Sequence, residues 1–296
     1  MKYFKLLRVK HYIKNLLIFF PLVFSGKMTD FDYFIRTFIA FFAFCFACSV
    51  IYILNDIRDA EKDRLHPVKK NRPIANGEIS NSQAIIIAVF LFGIAAVLGF
   101  SAPLGIYGFA VLLLYMCINF SYSFGLKNIA LLDVALLSFG FVLRIIYGGV
   151  INNIIASNWL YVTVITISLY LSIGKRRGEF ILLGGGETRG SLKGYTLSFF
   201  NNSMQLCLTL SLVFYSLWCM DKTIADYPGG SYKFLTIPAV LFICLRYWML
   251  IDKKDSLADP VEVLLKDKIL IGLVFLYAVM ITAIVYFSQV NMFIFG

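Results

Sequence analysis

The sequence predicts an all-α integral membrane protein with nine transmembrane helices. Three observations support this fold class: 60% of the 296 residues are hydrophobic, only 15% are charged, and the mean hydropathy is +0.81. Such values are typical of polytopic membrane proteins rather than of soluble domains. We expect residues 1–296 to form a single polytopic membrane domain, with the N-terminus in the cytoplasm and the C-terminus outside.

The predicted spans follow from the thickness of the membrane. A bilayer core of about 30 Å requires about 20 apolar residues per helix, and nine stretches of the chain approach that length. Their approximate limits are 13–26, 34–54, 83–100, 103–122, 130–150, 158–174, 198–220, 233–251 and 268–290. The first is the weakest, because it is short and contains Pro21. A tight turn at residues 101–103 separates the third span from the fourth.

The basic residues indicate the orientation of the chain. A formal net charge of +10 could suggest nucleic acid, but in a membrane protein the sidedness of the charge is considered first. With the N-terminus in the cytoplasm, most of the 27 Lys and Arg residues fall on that side. The two long loops there are residues 55–82 and 175–197. We therefore expect a multi-pass protein of the cytoplasmic (inner) membrane, with its active site on the cytoplasmic side and no nucleic-acid partner.

The densest charge follows the second span, in the stretch NDIRDAEKDRLHPVKKNRPI at residues 55–74. If that helix continues, Asp56, Asp59 and Asp63 fall within about 60° of arc, and Asn55 lies beside them. Stacked carboxylates repel one another and need a cation, and oxygen-only ligands suit Mg²⁺, which commonly bridges protein carboxylates to phosphates. We predict a metal site formed by these four residues. The alternative is a solvated helix end whose carboxylates pair with neighbouring bases.

Two groups of basic residues could neutralise phosphates that carboxylates alone would repel. The first follows the acidic stretch and comprises Arg64, His66, Lys69, Lys70 and Arg72. The second ends the sixth predicted span and comprises Lys175, Arg176 and Arg177. Ordinary positive-inside charge is the alternative explanation of both groups.

Arg144 lies inside a predicted span, where an ionisable side chain is expensive and is usually functional. Asp133, Gly140 and Arg144 fall within about 40° on a helical projection. Asp133 and Arg144 are about 16 Å apart along the axis, too far for a direct pair. Each therefore needs another partner. We predict a ligand in a cavity, with an interhelical ion pair as the alternative.

The pattern NDxxDxxxD at residues 55–63 resembles the first Asp-rich motif of the UbiA prenyltransferase superfamily. The closer likeness, to its decaprenyl-phosphate phosphoribosyltransferases, covers most of residues 6–180, from LLRVKHYIKN to LYLSIGKRRGE. The resemblance implies a UbiA-like bundle of nine helices and an intramembrane enzyme that uses a Mg²⁺-bound diphosphate substrate. It implies transfer of the 5-phosphoribosyl group of phosphoribosyl pyrophosphate (PRPP) to a polyprenyl phosphate, in cell-envelope biosynthesis.

The resemblance also implies roles for individual residues by matching position. The implied metal and diphosphate ligands are Asn55, Asp56, Asp59 and Asp63. The implied catalytic residues are Asp59, Asp63, Asp133 and Arg144. The implied substrate-binding residues are Lys14, Asn55, Arg64, Lys70, Arg72, Tyr122, Lys127, Lys175 and Arg176.

One departure from the superfamily pattern concerns the donor. Prenyl-transferring members carry a second DxxxD motif, but the matching residues 122–133 offer only Asp133. This departure favours a sugar diphosphate donor over a prenyl diphosphate. The alternatives are a prenyltransferase with an aromatic or other acceptor and a transporter or lipid carrier. The expected partners are PRPP, a polyprenyl phosphate and membrane lipids, and the sequence is compatible with a homo-oligomer.

Overall fold

The computed structural model describes residues 2–65, 69–101, 105–182, 190–221, 230–252, 263 and 266–295. Within these residues all regular secondary structure is helical. The α-helices are α1 Lys2–Leu7, α2 Phe20–Phe24, α3 Phe31–Arg58, α4 Ala60–Arg64, α5 Asn81–Phe100, α6 Gly105–Ser123, α7 Leu132–Asn152, α8 Asn158–Leu182, α9 Leu197–Met220, α10 Ile237–Asp252 and α11 Lys268–Phe295. In the part of the chain that the structure describes, five 3₁₀ segments lie between them, at Val9–Phe19, Lys69–Asn71, Leu126–Asn128, Gly190–Gly194 and Gly230–Thr236.

Seven helices of the described part are long and apolar enough to cross a membrane. They are Phe31–Arg58, Asn81–Phe100, Gly105–Ser123, Leu132–Asn152, Leu197–Met220, Tyr232–Asp252 and Lys268–Tyr286. These helices match seven of the nine predicted spans. The total of nine and the orientation of the termini stay predictions.

The other two predicted spans have a different form. At 13–26 the chain runs as the 3₁₀ segment Val9–Phe19 and then the five-residue α2, so the predicted span is not one continuous α-helix. Pro21 occupies the first turn of α2. A backbone N–H in that turn has no partner inside the helix, so proline, which lacks the N–H, is tolerated there. At 158–174 the structure has the 25-residue α8, whose C-terminal part is strongly charged. The turn predicted at 101–103 lies mostly outside the described residues.

The chain forms two compact units. Unit 1 comprises Met1–Leu22, Asp30–Phe124 and Leu143–Ile154, and unit 2 comprises Val23–Thr29, Gly125–Val142 and Ile155–Gly296. In unit 1, α3 packs along α5. The buried Phe44 ring contacts the rings of Tyr115 and Tyr147, with centroids 4.5 and 5.3 Å away. In unit 2, α8 packs along α9 around the buried Tyr170 and Phe200.

Capping residues explain where several of these helices begin. Asp30 precedes α3 and accepts the backbone N–H of Asp32 at 3.0 Å. Ser80 and Gln83 form a reciprocal capping box at the start of α5. Thr196 caps α9 through the N–H of Phe199. Each cap satisfies a backbone donor that has no partner inside its own helix.

Gly148 on α7 generates the first prediction, because it allows close approach to the 3₁₀ segment Val9–Phe19. A Cβ at Gly148 would overlap the carbonyl oxygen of Ile18, which is backbone and cannot rotate away. We expect Gly148→Ala to lower the free energy of unfolding by about 1–3 kcal/mol through overpacking. Thermal unfolding in detergent measures the change.

Gly93→Ala on α5 is the matched control for that substitution. A Cβ at Gly93 meets nothing within 4 Å, and Ala is the better helix former. This variant should be as stable as the wild type or slightly more stable. Equal losses in the two variants would contradict the packing argument.

Candidate active site

Two buried carboxylates of unit 1 converge on one guanidinium group. Arg72 Nη1 donates to Asp56 Oδ1 at 3.1 Å and to Asp63 Oδ2 at 2.5 Å. Asp56 and Asp63 are only 2% and 4% exposed. Burying a charge without a partner is costly, so one cation between the two carboxylates reduces their mutual repulsion and offsets part of that cost.

Arg8 is a second cation at the same place. Its Nη2 donates to Asp56 Oδ1 at 2.5 Å, and its guanidinium lies 4.7 Å from the centre of the Tyr52 ring. The Arg8 backbone has φ 52°, a left-handed conformation that costs a non-glycine residue about 1–3 kcal/mol. We call Arg8, Asp56, Asp63 and Arg72 the carboxylate cluster. The sequence patterns do not single out Arg8, since it is one of several bases in the N-terminal segment.

The continuous helix that the sequence predicts from Asp56 to Asp63 is interrupted at Asp59, although Asp56 and Asp63 meet the same base. Helix α3 ends at Arg58, α4 begins at Ala60, and Asp59 lies between them with φ −91° and ψ 5°. The Asp59 carboxylate accepts from Nε and Nη2 of Arg58, both at 3.1 Å. Asp56 and Asp63 both pair with Arg72, whereas Asp59 pairs with Arg58.

The donor set of the carboxylate cluster is compatible with a hard divalent cation. In the described part of the chain, no group of three or more His, Cys, Asp and Glu side chains is placed to hold a metal ion. Asp56 and Asp63 nevertheless already share one cationic group, Arg72, and offer only oxygen ligands. Mg²⁺ is commonly held by one or two carboxylates, with water and substrate phosphates completing its shell. The metal roles of Asn55 and Asp59 stay predictions.

The other predicted substrate-binding residues of unit 1 lie on several different segments of the chain. Arg64 donates from Nε to the Ala75 carbonyl at 3.2 Å, and Lys70 is exposed. Lys14 lies half-buried in the 3₁₀ segment Val9–Phe19, and Tyr122 is half-buried near the end of α6. Their predicted contacts with phosphates stay predictions.

Arg144 lies in a separate polar network of unit 1. It is buried, donating from Nε to Asn15 Oδ1 at 2.8 Å and from Nη2 to the Tyr115 hydroxyl at 3.1 Å. Its guanidinium also lies 5.1 Å from the centre of the Phe44 ring. From the sequence we expect a ligand to supply these contacts, but here protein groups supply them. Asn15 and Tyr115 are too distant in sequence for helical spacing to reveal the contact.

Asp133 lies at the centre of a buried network in unit 2. Its carboxylate is 2.8 Å from Arg176 Nε, an ion pair between α7 and α8. The Tyr195 hydroxyl donates to Oδ1 at 2.9 Å, and the Ser191 hydroxyl donates to Oδ2 at 3.2 Å. Arg176 also donates to Glu179 Oε2 at 2.5 Å. The alternative of an interhelical ion pair is thus what the structure shows for Asp133.

We call Asp133, Arg176, Ser191 and Tyr195 the Asp133 cluster. Asp133 is fully buried and Arg176 only 1% exposed, so the pair forms away from water. Burial also raises the pKa of Tyr195 to about 12. Sequence patterns did not identify Ser191 or Tyr195, because they follow α8 in a segment without helical periodicity.

Comparison with known proteins shows that the sequence is similar to one family. The model of the UbiA prenyltransferase family matches residues 17–265. Decaprenyl-phosphate phosphoribosyltransferase of Mycolicibacterium smegmatis is 35% identical over 298 residues, covering 96% of this chain and 92% of that protein. The Corynebacterium glutamicum protein of the same name is 35% identical over 270 residues, covering 90% of this chain and 81% of that protein.

The fold is also shared with a solved structure. A UbiA homolog from Archaeoglobus fulgidus, bound to GPP and Mg²⁺, superposes with a TM-score of 0.70 at 18% identity. The superposition covers 97% of this chain and 99% of that one. At this identity the likeness establishes the helical fold alone.

The carboxylate cluster yields a prediction about stability. Arg72→Met should lower the free energy of unfolding by about 1–3 kcal/mol, less than the loss of a fully buried pair because Arg72 is partly exposed. Adding Asp63→Asn should restore part of that loss, since it removes one of the two carboxylates left facing each other. Denaturant unfolding in detergent measures both changes.

Arg64→Met is the control for this prediction, because it loses only a bond to a backbone carbonyl. It should lower the free energy of unfolding less than Arg72→Met does. The reverse order would refute the bridging role of Arg72.

The Asp133 cluster yields a prediction about pH. Because the pKa of Tyr195 is raised, the stability that its protonated hydroxyl contributes is fully present below the ordinary tyrosine pKa of about 10. That contribution is lost as the pH rises through the folded value of about 12. The stability difference between wild type and Tyr195→Phe should therefore be constant at neutral pH and shrink in strong alkali. Thermal unfolding across this pH range measures it, and a constant difference throughout would contradict the assignment.

Proposed function

Because the chain belongs to the UbiA prenyltransferase family and is therefore a transferase, we propose that it transfers the 5-phosphoribosyl group of PRPP to a polyprenyl phosphate. The products would be polyprenylphosphoryl-5-phosphoribose and pyrophosphate. The observation that carries this proposal is the convergence of Asp56 and Asp63 on Arg72, beside Arg8. Such a mixture of carboxylates and guanidinium groups can bind both a divalent cation and phosphate oxygens.

The choice of donor rests on two further observations. Relatives named decaprenyl-phosphate phosphoribosyltransferase align with nearly the whole chain. The only acid in residues 122–133 is Asp133, and its carboxylate is engaged by Arg176, Ser191 and Tyr195. A second acidic motif like that of the prenyl-transferring members is therefore lacking at this position. Both observations favour PRPP over a prenyl diphosphate.

In the proposed reaction, Asp56 and Asp63 provide the oxygen ligands, while Arg8 and Arg72 donate to phosphate oxygens. Mg²⁺, when bound there, would stabilise the negative charge of the diphosphate. The bond between the anomeric carbon and the pyrophosphate oxygen breaks, and an oxygen of the lipid phosphate forms the new bond to that carbon. Guanidinium groups held in place before the reaction stabilise the departing charge without reorganisation. The attacking oxygen is already anionic, so no general base is needed.

The membrane setting suits this pair of substrates. The seven apolar helices make the protein an integral membrane protein, and we place it in the cytoplasmic membrane with its working side towards the cytoplasm. PRPP would enter from that side, and the lipid tail would extend sideways between helices. Its phosphate would then stay at headgroup level, where a water-soluble donor can meet it. The product would supply pentose units for cell-envelope glycans.

A radiolabel assay tests the proposal. Purified protein incubated with Mg²⁺, labelled PRPP and a polyprenyl phosphate should form labelled lipid, and chelation of the metal should stop the reaction. Asp56→Asn should lower the rate by about 100-fold or more, because it weakens a preorganised charge at the reacting diphosphate. Asp32→Asn is the matched control, an exposed carboxylate at the opposite end of α3, and should keep the wild-type rate.

The competing functions predict different outcomes. A prenyltransferase would form no labelled lipid from PRPP but would consume a prenyl diphosphate in the presence of an acceptor. A transporter would move substrate across liposomes without metal, and Asp59→Ala would not reduce that flux. Either result, together with absence of labelled lipid, would overturn the proposed reaction.

A further inference from the structure

One face of α3 holds the chain around Arg8. Ser49, Tyr52 and Asp56 lie at positions i, i+3 and i+7 of this helix, so they fall within about 60° of arc. The Tyr52 ring centre lies 4.7 Å from the Arg8 guanidinium, and Asp56 Oδ1 accepts from Arg8 Nη2 at 2.5 Å. Ser49, about 10 Å from Asp56 along the helix axis, contacts the backbone beside Arg8. All four residues belong to unit 1.

The fully buried Ser49 hydroxyl joins two positions of the chain on either side of Arg8. It donates to the Leu7 carbonyl at 3.0 Å and lies 2.7 Å from the Tyr12 hydroxyl. Its single proton is shared with the Cys45 carbonyl at 3.1 Å, so Tyr12 is the donor to Ser49. The bond to Cys45 is common for a buried helical serine. The contacts with Leu7 and Tyr12, in contrast, join α3 to another segment.

The backbone at Arg8 needs such contacts, because it is in an unfavourable conformation. Its φ of 52° and ψ of 46° lie in the left-handed region, between the end of α1 and the 3₁₀ segment Val9–Phe19. A strained residue persists only where its surroundings enforce the conformation. The Leu7 carbonyl belongs to the peptide group whose rotation about the N–Cα bond of Arg8 defines that φ. The hydrogen bond from Ser49 therefore restrains this rotation directly.

We propose that Ser49 is a positioning residue, which holds Arg8 in the left-handed conformation that brings its guanidinium to Asp56 and so to a phosphate of the donor. This inference rests on the proposed function, in which Arg8 donates to phosphate oxygens. Ser49 itself does not touch the substrate and acts only through Arg8. Its loss should therefore weaken the use of the donor and leave binding of the lipid acceptor largely unchanged.

Ser49→Ala tests the inference, since it removes only the hydroxyl and keeps a good helix former. The kcat/KM for PRPP should fall about three- to tenfold, the size expected for the loss of one ordinary hydrogen bond. The KM for the polyprenyl phosphate should change little. Ser211→Ala is the matched control, a buried serine of α9 whose hydroxyl donates to the Cys207 carbonyl of its own helix. It should retain wild-type kinetics.

A double-mutant cycle shows whether Ser49 acts through Arg8. The dissociation constant of inorganic pyrophosphate, measured by calorimetry with Mg²⁺ in detergent, should rise about three- to tenfold in Ser49→Ala. It should rise further in Arg8→Met, which removes the guanidinium. Adding Ser49→Ala to Arg8→Met should then have no further effect, because the group that Ser49 positions is already absent.

Hydrogen–deuterium exchange provides a readout that is independent of the substrates. The Arg8 amide donates to the Lys5 carbonyl at 3.2 Å, and the His11 amide donates to the Arg8 carbonyl at 2.8 Å. Both amides should exchange faster in Ser49→Ala than in the wild type, and at the wild-type rate in Ser211→Ala.

Tyr12→Phe is a second variant at the same contact. It removes the neighbouring hydroxyl but keeps the bond from Ser49 to the Leu7 carbonyl, which restrains Arg8. It should therefore raise the dissociation constant of pyrophosphate less than Ser49→Ala does. A larger effect of Tyr12→Phe would contradict the role given to the Leu7 carbonyl.

The outcomes separate the two hypotheses. The positioning role would be overturned by unchanged exchange in Ser49→Ala, by an undiminished effect of Ser49→Ala in the Arg8→Met background, or by a wild type that binds no pyrophosphate. A wild type that binds pyrophosphate but forms no labelled lipid from PRPP would overturn the proposed function. In that case the binding cycle still decides the role of Ser49.

Discussion

The pairing of buried carboxylates with arginines is the interaction on which both polar clusters depend. Asp56, Asp63 and Asp133 are each almost inaccessible to water, and each lies against a guanidinium group from another part of the chain. An isolated carboxylate in such surroundings would carry a large desolvation cost, so the helices can bury these acids only where an arginine accompanies them. Each cluster therefore consists of buried acids together with the arginines that pair with them.

This constraint also suits the chemistry proposed for the chain. In the proposed reaction, Asp56 and Asp63 would offer oxygen ligands to a metal, and Arg8 and Arg72 would donate to phosphate oxygens. In the carboxylate cluster, Arg8 and Arg72 meet the same oxygen of Asp56, so basic groups are already concentrated where a diphosphate would bind. In the Asp133 cluster the acid is instead engaged by three protein groups.

Predictions from the sequence succeeded where they depended on local periodicity or composition, and failed where chain breaks or distant contacts mattered. Seven apolar spans and the acidic motif at residues 55–63 could be identified from spacing alone. The interruption of the helix at Asp59 could not, because the spacing of the acidic residues gives no signal for it. Asp133 and Arg144 both lie on α7, as expected, but their partners Arg176 and Asn15 could not be predicted because they are far away in the sequence.

The sequence by itself determined that the protein is a helical membrane protein of the UbiA family with a charged motif after its second predicted span, because hydrophobicity and motif spacing are properties of neighbouring residues. Only the tertiary structure decided which base accompanies which acid. Arg8 reaches Asp56 across 48 residues, and Tyr195 reaches Asp133 across 62. Such pairs form because an unpaired charge is costly to bury in the folded chain. A short stretch of sequence does not show which charges will be buried or which residues will lie beside them.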